Sequence, residues 1–431
     1  MSGKSRPRLV TALALFLLAG SLAAGRPAVA EPAPRACPVL APSPGWYGDN
    51  RARLQQLIDR HGGCGERSHR MKGRPVAVFD WDNTVVKNDV GDATMFWLLR
   101  HERIRRPAHR DWRTTSRHLT DAAVRALAAA CGSSAPAGAP LPTATDTGCA
   151  DEIRAVYSDG ATTGGEHAFA GFDHRRTQPQ YAWLAQLLQG WTPREVREFA
   201  AAARAENLAA PVGTEQRVGS GRETGWVRYY AEQRDLIRTL QRSGFDVWIT
   251  SASPEPVVEV WARGAGVDAA HTIGIRSVTA AGRLTAHLRG CGTVRDGEDA
   301  LIPYIDGKRC WINTVVYGVH GAAAERSLPA DRRQVFAAGD SDTDVTFLRD
   351  ATVLRLVLNR NRTELMCRAY DDGDGRWIVN PMFLQPKPRR ADPYPCATTG
   401  YENPDGTRGP VLRQDGSPVP DQWDRVYPQG L

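Results

Sequence analysis

Lysine is scarce in this 431-residue chain: Lys4, Lys72, Lys87, Lys308 and Lys387 are the whole supply, and every other basic residue is an arginine. That excludes the lysine-rich patch expected of a protein that tracks a nucleic-acid backbone. The net charge of +7 falls to +3 without the four basic residues of positions 1–30, too little and too scattered to argue for nucleic acid. No Cys-x-x-Cys spacing occurs, which argues against a zinc ribbon or a redox pair. No internal repeat occurs, so a solenoid or propeller is excluded. After residue 30 no apolar run is long enough to cross a bilayer.

What is present begins with an export signal. Lys4, Arg6 and Arg8 precede an uncharged apolar run from Leu9 to Leu22, and Ala28-Val29-Ala30 supplies the small residues of a cleavage site. Residues 1–30 therefore read as a signal peptide. The mature protein is expected to be secreted, with no stable membrane span. All eight cysteines lie beyond this segment, an even number that suits disulfides in an exported chain. The pairs nearest in sequence are expected: Cys37–Cys64, Cys131–Cys149, Cys291–Cys310 and Cys367–Cys396.

The hydrophobic pattern predicts an α/β protein. Asn50 to His61 reads as a helix with Leu54, Leu57 and Ile58 on one face. Pro75–Phe79, Val247–Ile249, Val335–Ala338 and Val353–Leu358 read as short buried strands. Thr272–Val278 and Arg283–Leu288 read as a hairpin across Ala280-Ala281-Gly282. From 90 to 230 the pattern is helical, with a clear start at Thr192-Pro193 and Glu195. Another helix is expected through Tyr229 to Leu240. Strands separated by helical stretches imply a doubly wound parallel sheet. The division expected is a core of residues 31–88 and 231–384, an insertion at 89–230 and a Pro/Gly-rich tail at 385–431. The low-complexity stretch 132–148 is expected to be an exposed excursion.

Three of these strands end in polar clusters. The first runs into Asp80-Trp81-Asp82-Asn83-Thr84, where two carboxylates can converge, one to attack and one to handle protons. The second ends in Thr250-Ser251-Ala252-Ser253-Pro254, hydroxyls and free amides at a helix start that suit an anion. There Ser253 is expected to cap the helix and Ser251 to bind phosphate. The third ends in Gly339-Asp340-Ser341-Asp342-Thr343-Asp344, hard oxygen donors that suit Mg2+. Lys308 lies between the second and third, the one lysine from Ser251 to Asp340, and can neutralise a phosphoryl group.

In that order these motifs resemble the haloacid dehalogenase superfamily, its phosphoserine-phosphatase-like branch, over residues 75–365. The resemblance implies a Rossmann-like sheet with a large helical cap inserted after the first strand. It implies a phosphatase of small phosphomonoesters, in which Asp80 forms an aspartyl-phosphate and Asp82 serves as acid and base. Ser251, Lys308 and Thr84 would hold the phosphoryl group. Mg2+ would be held by Asp80, the carbonyl of Asp82 and Asp340, with Asp344 close by.

Gly45-Trp46-Tyr47, Tyr181-Ala182-Trp183-Leu184 before Trp191-Thr192, and Gly307-Lys308 also resemble exported bacterial phosphorylcholine phosphatases. The simple Gly-Asp-Ser form of the fourth motif departs from that group. Asp89 and Asp92 could meet a cationic substrate or equally cap the helix that starts near Ala93. The insertion's aromatics, Trp97, Tyr157, Tyr181 and Trp183 among them, read mostly as its core, though such a supply could build a cage for a quaternary ammonium. A broad-specificity secreted acid phosphatase and a catalytically silent exported binding protein on the same fold are the competing readings.

Overall fold

A computed structural model describes residues 3, 36–64, 73–132 and 135–427. The chain divides into Met1–Arg35 and Ala36–Leu431, and every helix and strand among the described residues belongs to the second unit. The expected signal peptide lies outside the described residues.

Six parallel strands form the central sheet: β1 (Val76–Phe79), β2 (Asp246–Pro254), β3 (Thr272–Ile275), β4 (Phe336–Gly339), β5 (Leu354–Asn359) and β6 (Trp377–Pro381). Their spatial order is β6-β5-β4-β1-β2-β3. Ala77 pairs with Phe336 on one side and Val247 on the other. These strands are almost wholly buried, which is why they read as unbroken apolar runs instead of alternating ones. From β1 the chain builds outward through β2 and β3, then crosses back to β4 on β1's other side. The carboxyl ends of β1 and β4 flank this reversal, where open α/β sheets bind ligands.

Helix α1 (Asn50–His61) lies where its periodicity predicts. The chain leaves the sheet at Val86–Lys87 and returns at Arg228–Tyr229, and these two segments pair antiparallel. Between them lie α2 (Val90–Arg100), α3 (Asp121–Cys131), α4 (Thr147–Ser158), α5 (Pro179–Leu187) and α6 (Pro193–Ala209). The Thr192–Glu195 capping box starts α6 as expected. A hairpin of Glu215–Val218 and Gly221–Thr224 carries no signal in the hydrophobic pattern, because its strands are short, polar and mostly exposed. Tyr229 belongs to the exit ribbon, so α7 runs only from Ala231 to Arg242.

Other differences have physical reasons. The expected hairpin from Thr272 divides: Thr272–Ile275 joins the core sheet, and only Ser277–Ala280 turns back on Arg283–Leu288. Gly274 permits the core pairing, since a Cβ there would sit 2.5 Å from the Glu255 Cα. Strand β2 continues to Pro254, and α8 (Glu255–Ala262) starts without a side-chain cap, so Ser253 is not the N-cap expected of it. The 132–148 stretch is not wholly exposed. Leu141 is fully buried and its amide donates to the Ile104 carbonyl.

The remaining helices are α9 (Asp306–Val315), α10 (Val345–Asp350) and α11 (Thr363–Asp371). The tail is bound into the fold. Tyr394, Cys396 and Val411 are fully buried, and Asp424 accepts hydrogen bonds from Tyr370 Oη (2.6 Å) and Asn359 Nδ2 (3.0 Å). All four disulfides join the cysteines nearest in sequence. Among the described residues no helix is long and apolar enough to cross a membrane.

Candidate active site

Asp80 is the first residue beyond β1, and its amide continues the ladder by donating to the Ala338 carbonyl of β4. Its carboxylate accepts from Lys308 Nζ at 2.6 Å and from Thr84 Oγ1 at 2.8 Å. Lys308 is fully enclosed and also donates to Asp344 Oδ1 at 2.6 Å. A lysine in the first turn of α9 reaches this point because the chain before it is sharply bent. Ile305 holds φ 43°, an unusual conformation for a β-branched residue, which costs about 1–3 kcal/mol. The bend is fastened by the Ile305 amide donating to the Thr343 carbonyl at 3.0 Å. Gly307 fits only without a side chain, since a Cβ would meet the Ile302 carbonyl oxygen at 1.9 Å.

The third acidic group comes from the end of β4. Asp344 Oδ2 accepts from the amides of Asp340 (2.9 Å) and Ser341 (3.0 Å), which curls the loop back on the strand. Asp340 Oδ1 accepts from Thr84 at 3.3 Å, and its Oδ2 accepts from Arg360 Nη1 at 2.8 Å. Ligand oxygens of Asp80, Asp340 and Asp344 all lie within 4.8 Å of one another. Among the described residues these three buried carboxylates form ion pairs with two cations, Lys308 and Arg360. An all-oxygen donor set with residual negative charge fits Mg2+.

Burial pushes the Asp80 carboxyl up to about 6, with Lys308 pulling the other way. A divalent cation beside it would favour the ionised form. Burial also works against the charge of Lys308, but Asp344 and Asp80 outweigh it and hold its pKa above the ordinary lysine range. Both carboxylates thus favour its charged form.

The Asp82 side chain turns away from this cluster. Its Oδ1 accepts from the Val90 amide at 2.8 Å, and its Oδ2 accepts from the hydroxyls of Ser251 and Ser253, both at 3.2 Å. Burial first, then the charges of Asp89 and Asp80, push its carboxyl well above the usual range. Its environment thereby favours the protonated form.

A cavity of about 50 Å³ opens onto these groups, lined by Asp80, Asp82, Lys308, Asp340 and Arg360, with Asp89, Tyr157 and Tyr181 on the side of the insertion. Asp89 caps α2 by accepting from the Asp92 amide, and Asp92 accepts from Tyr157 Oη at 2.8 Å. Trp183 does not line the cavity. It is fully buried against Trp112 and Phe169, and its indole N–H donates to Thr115. Trp97 also lies elsewhere, stacked on His101 and Phe199. Both candidate aromatics are packing residues, the reading favoured for any single aromatic of the insertion, because their large apolar faces pack in its own core. Arg360, Tyr157 and Tyr181 line the cavity, although the sequence offers the tyrosines only among many aromatics of the insertion and assigns Arg360 no role. Arg360 has a signal, standing directly after β5, but the two tyrosines cannot be told from core aromatics.

Residues 158–349 match the family model of the haloacid dehalogenase-like hydrolases. That span takes in Ser251, Lys308, Asp340 and Asp344 and leaves out the Asp80 segment. Among solved structures, a conserved protein of unknown function from Anaerococcus prevotii is similar at 19% identity and TM-score 0.56, covering 78% of this chain and 92% of its own. A Bordetella pertussis protein of unknown function is 17% identical with TM-score 0.43, covering 72% and 100%. A substrate-bound phosphoserine phosphatase is 12% identical with TM-score 0.29, covering 67% and 87%. The first supports a shared fold; the other two TM-scores are too low to add to it. No curated protein matches the chain in sequence. The family match and the six-stranded parallel sheet bear out the resemblance to the haloacid dehalogenase superfamily.

Proposed function

We propose that this protein is a secreted, Mg2+-dependent phosphatase that hydrolyses small phosphomonoesters through an aspartyl-phosphate on Asp80. The observation that carries the reading is Lys308, fully enclosed and shared at 2.6 Å between Asp80 and Asp344. A buried cation held against a carboxylate in a ligand-accessible cavity suits transfer of a strongly anionic group.

In the first step an Asp80 oxygen bonds to phosphorus and the ester P–O bond breaks. Asp82, protonated through its burial, gives its proton to the leaving oxygen. In the second step Asp82 takes a proton from water, the hydroxide oxygen bonds to phosphorus, and the bond to Asp80 breaks to release inorganic phosphate. Ser251 and Ser253 orient Asp82, and Thr84 orients Asp80 toward the cavity. Lys308 balances the charge that builds on the phosphoryl oxygens. Mg2+, held by Asp80, Asp340 and Asp344, would supply further neutralisation of those oxygens. Export is supported by the sequence of residues 1–30 together with four disulfides.

The substrate proposed is phosphorylcholine-like, with a choline-type alcohol as the leaving group. Asp89 and Tyr181 line the cavity beyond Asp82, and Tyr157 holds Asp92 just behind. Carboxylates and aromatic faces together suit a cationic head. A broad-specificity phosphomonoesterase is the second reading, favoured by the small cavity, which grips little beyond a phosphoryl group. A panel of phosphorylcholine, phosphoethanolamine, phosphoserine and p-nitrophenyl phosphate, with and without Mg2+, tests both. Equal rates across the panel would remove the choline preference. Absence of Mg2+-dependent turnover on every ester would remove the enzyme and leave the binding-protein reading, whereas undiminished turnover in Asp80→Asn would remove Asp80 as the nucleophile.

A further inference from the structure

We propose that the catalytic cavity opens into a second, arginine-bearing chamber that binds a small phosphate-type oxyanion. The chamber has a volume of about 190 Å³ and shares Tyr181, Ser341, Thr343 and Arg360 with the catalytic cavity. Four guanidinium groups, Arg175, Arg360, Arg362 and Arg408, face three carboxylates, Asp342, Glu364 and Glu402.

The carboxylates are largely committed. Glu364 accepts from Arg175 at 2.5 Å and from Arg368, outside the chamber, at 2.7 Å. Glu402 is shared between His174 at 3.3 Å and Arg408 at 3.5 Å. Asp342 accepts the Leu365 amide at 2.8 Å. Arg362 makes no side-chain ion pair or hydrogen bond among the described residues, and Arg360 spends one nitrogen on Asp340. The surplus is cationic and is carried by arginine, whose planar fork matches tetrahedral oxyanions.

Three parts of the chain build this space. Arg360 and Arg362 follow β5. Arg175 and Tyr181 come from the insertion. Arg408 stands on a tail ribbon in which Arg408–Gly409 pairs with Tyr401–Glu402. The tail is fastened here: the His174 amide donates to the Pro404 carbonyl at 2.9 Å, and the Arg175 guanidinium lies 4.4 Å from the Tyr401 ring centre. The otherwise unexplained tail thus forms one wall of a chamber next to the reacting groups.

The inference rests on the phosphatase reading for its ligand's source. Inorganic phosphate released at Asp80 would pass Arg360 into the chamber, or a second acidic group on the substrate would rest there. Both present the same chemistry to the arginines.

The test loads the mature protein with Mg2+ and beryllofluoride, which caps Asp80, and then titrates inorganic phosphate by calorimetry. A remaining binding event is expected, weakened about tenfold or more in the double variant Arg362→Ala/Arg408→Ala. In p-nitrophenyl phosphate hydrolysis, the ratio of Ki for phosphate to KM should rise by a similar factor. An unmoved phosphate affinity with a raised KM for a bisphosphate ester, but not for p-nitrophenyl phosphate, would support the site with the substrate as its source. No remaining phosphate binding, or the same binding and the same KM values in the double variant, overturns the proposal. Failure of beryllofluoride to load counts against Asp80 as nucleophile. Phosphate titrated into the unloaded protein then still reads the chamber through the same variants.

Discussion

Replacing Lys308 by methionine removes the charge and nearly keeps the volume, so it isolates electrostatics from packing. Lys308 Nζ lies 2.6 Å from both Asp80 and Asp344, and the side chain is fully enclosed. At an effective dielectric of about 20, each contact is worth roughly 6 kcal/mol of gross attraction. Most of that offsets the desolvation of the ions. What is lost on breaking such a buried pair is about 3–5 kcal/mol, because the carboxylates are left without their cation. Melting temperature should fall by roughly 5–10 °C.

The loss should depend on pH, with a definite sign. Burial already raises the Asp80 and Asp344 carboxyls above their unfolded values. Without Lys308 they rise further, so the folded variant binds protons that the unfolded chain has released. Stability then falls as pH climbs through and above the ordinary carboxylate range. The deficit relative to wild type should be smaller at pH 5 than at pH 8, as read by calorimetric melting. Turnover should drop on the order of 10²–10³-fold, the scale of losing one preorganised charge-stabilising donor. Lys308→Arg should not rescue it, since the larger fork has no room and Phe347 lies 5.4 Å from Nζ. A Lys308→Met protein with wild-type melting at pH 8 and wild-type turnover would refute the reasoning at its root.

Asp82→Asn should lower phosphoenzyme formation from alkyl phosphates by about 10²–10⁴-fold in single-turnover experiments. The loss should be smaller for p-nitrophenyl phosphate, whose leaving group departs without a proton; equal losses would argue against Asp82 as the acid. Lys87→Met should stabilise the protein at neutral pH. Burial first, then Lys387 and Arg360, push the Lys87 ammonium down to about 8, so the native state gains stability as pH rises from about 8 toward 10.5. That rise should vanish from the variant's melting curve, and its persistence would show that another group titrates. Gly307→Ala should cost about 1–3 kcal/mol and displace Lys308, since the new Cβ would overlap the Ile302 carbonyl. Full activity in that variant would mean the α9 start can shift without harm.

The proposed catalytic carboxylates are legible in the chain because each stands directly beyond a short apolar run. Val76–Phe79, Val247–Ile249 and Phe336–Ala338 carry no competing periodicity, so their ends, and the acids and hydroxyls just past them, are marked in the chain itself. Lys308 is legible for a different reason: lysine is rare here, so its position between two motifs carries weight. What each group touches is not legible. Ser251 and Ser253 look like a phosphate site and a helix cap, yet both hydroxyls reach Asp82. That depends on the register of β2 against β1, where Ile249 stands opposite Phe79, and a short strand's register is not written in its composition.

The insertion shows the opposite limit. Its aromatics are numerous, and burial of a large ring is favourable wherever the ring goes, so abundance cannot separate a core Trp183 from a cavity Tyr181. Charge is more telling, because a buried charge must be compensated. Arg360 lines the catalytic cavity, the arginine-bearing chamber and a third cavity that reaches Asp89, Asp92 and Trp226. It stands between a mainly acidic pocket and a mainly basic one while holding the carboxylate of Asp340. A substrate that places a cation near Asp89 and phosphate near Lys308 leaves Arg360 free to keep Asp340 oriented. One that places an anion near Asp89 would draw the guanidinium away from Asp340. Substrate charge and the geometry of the acidic cluster are therefore expected to be coupled through Arg360, which stands, as Asp80 does, just past the end of a strand.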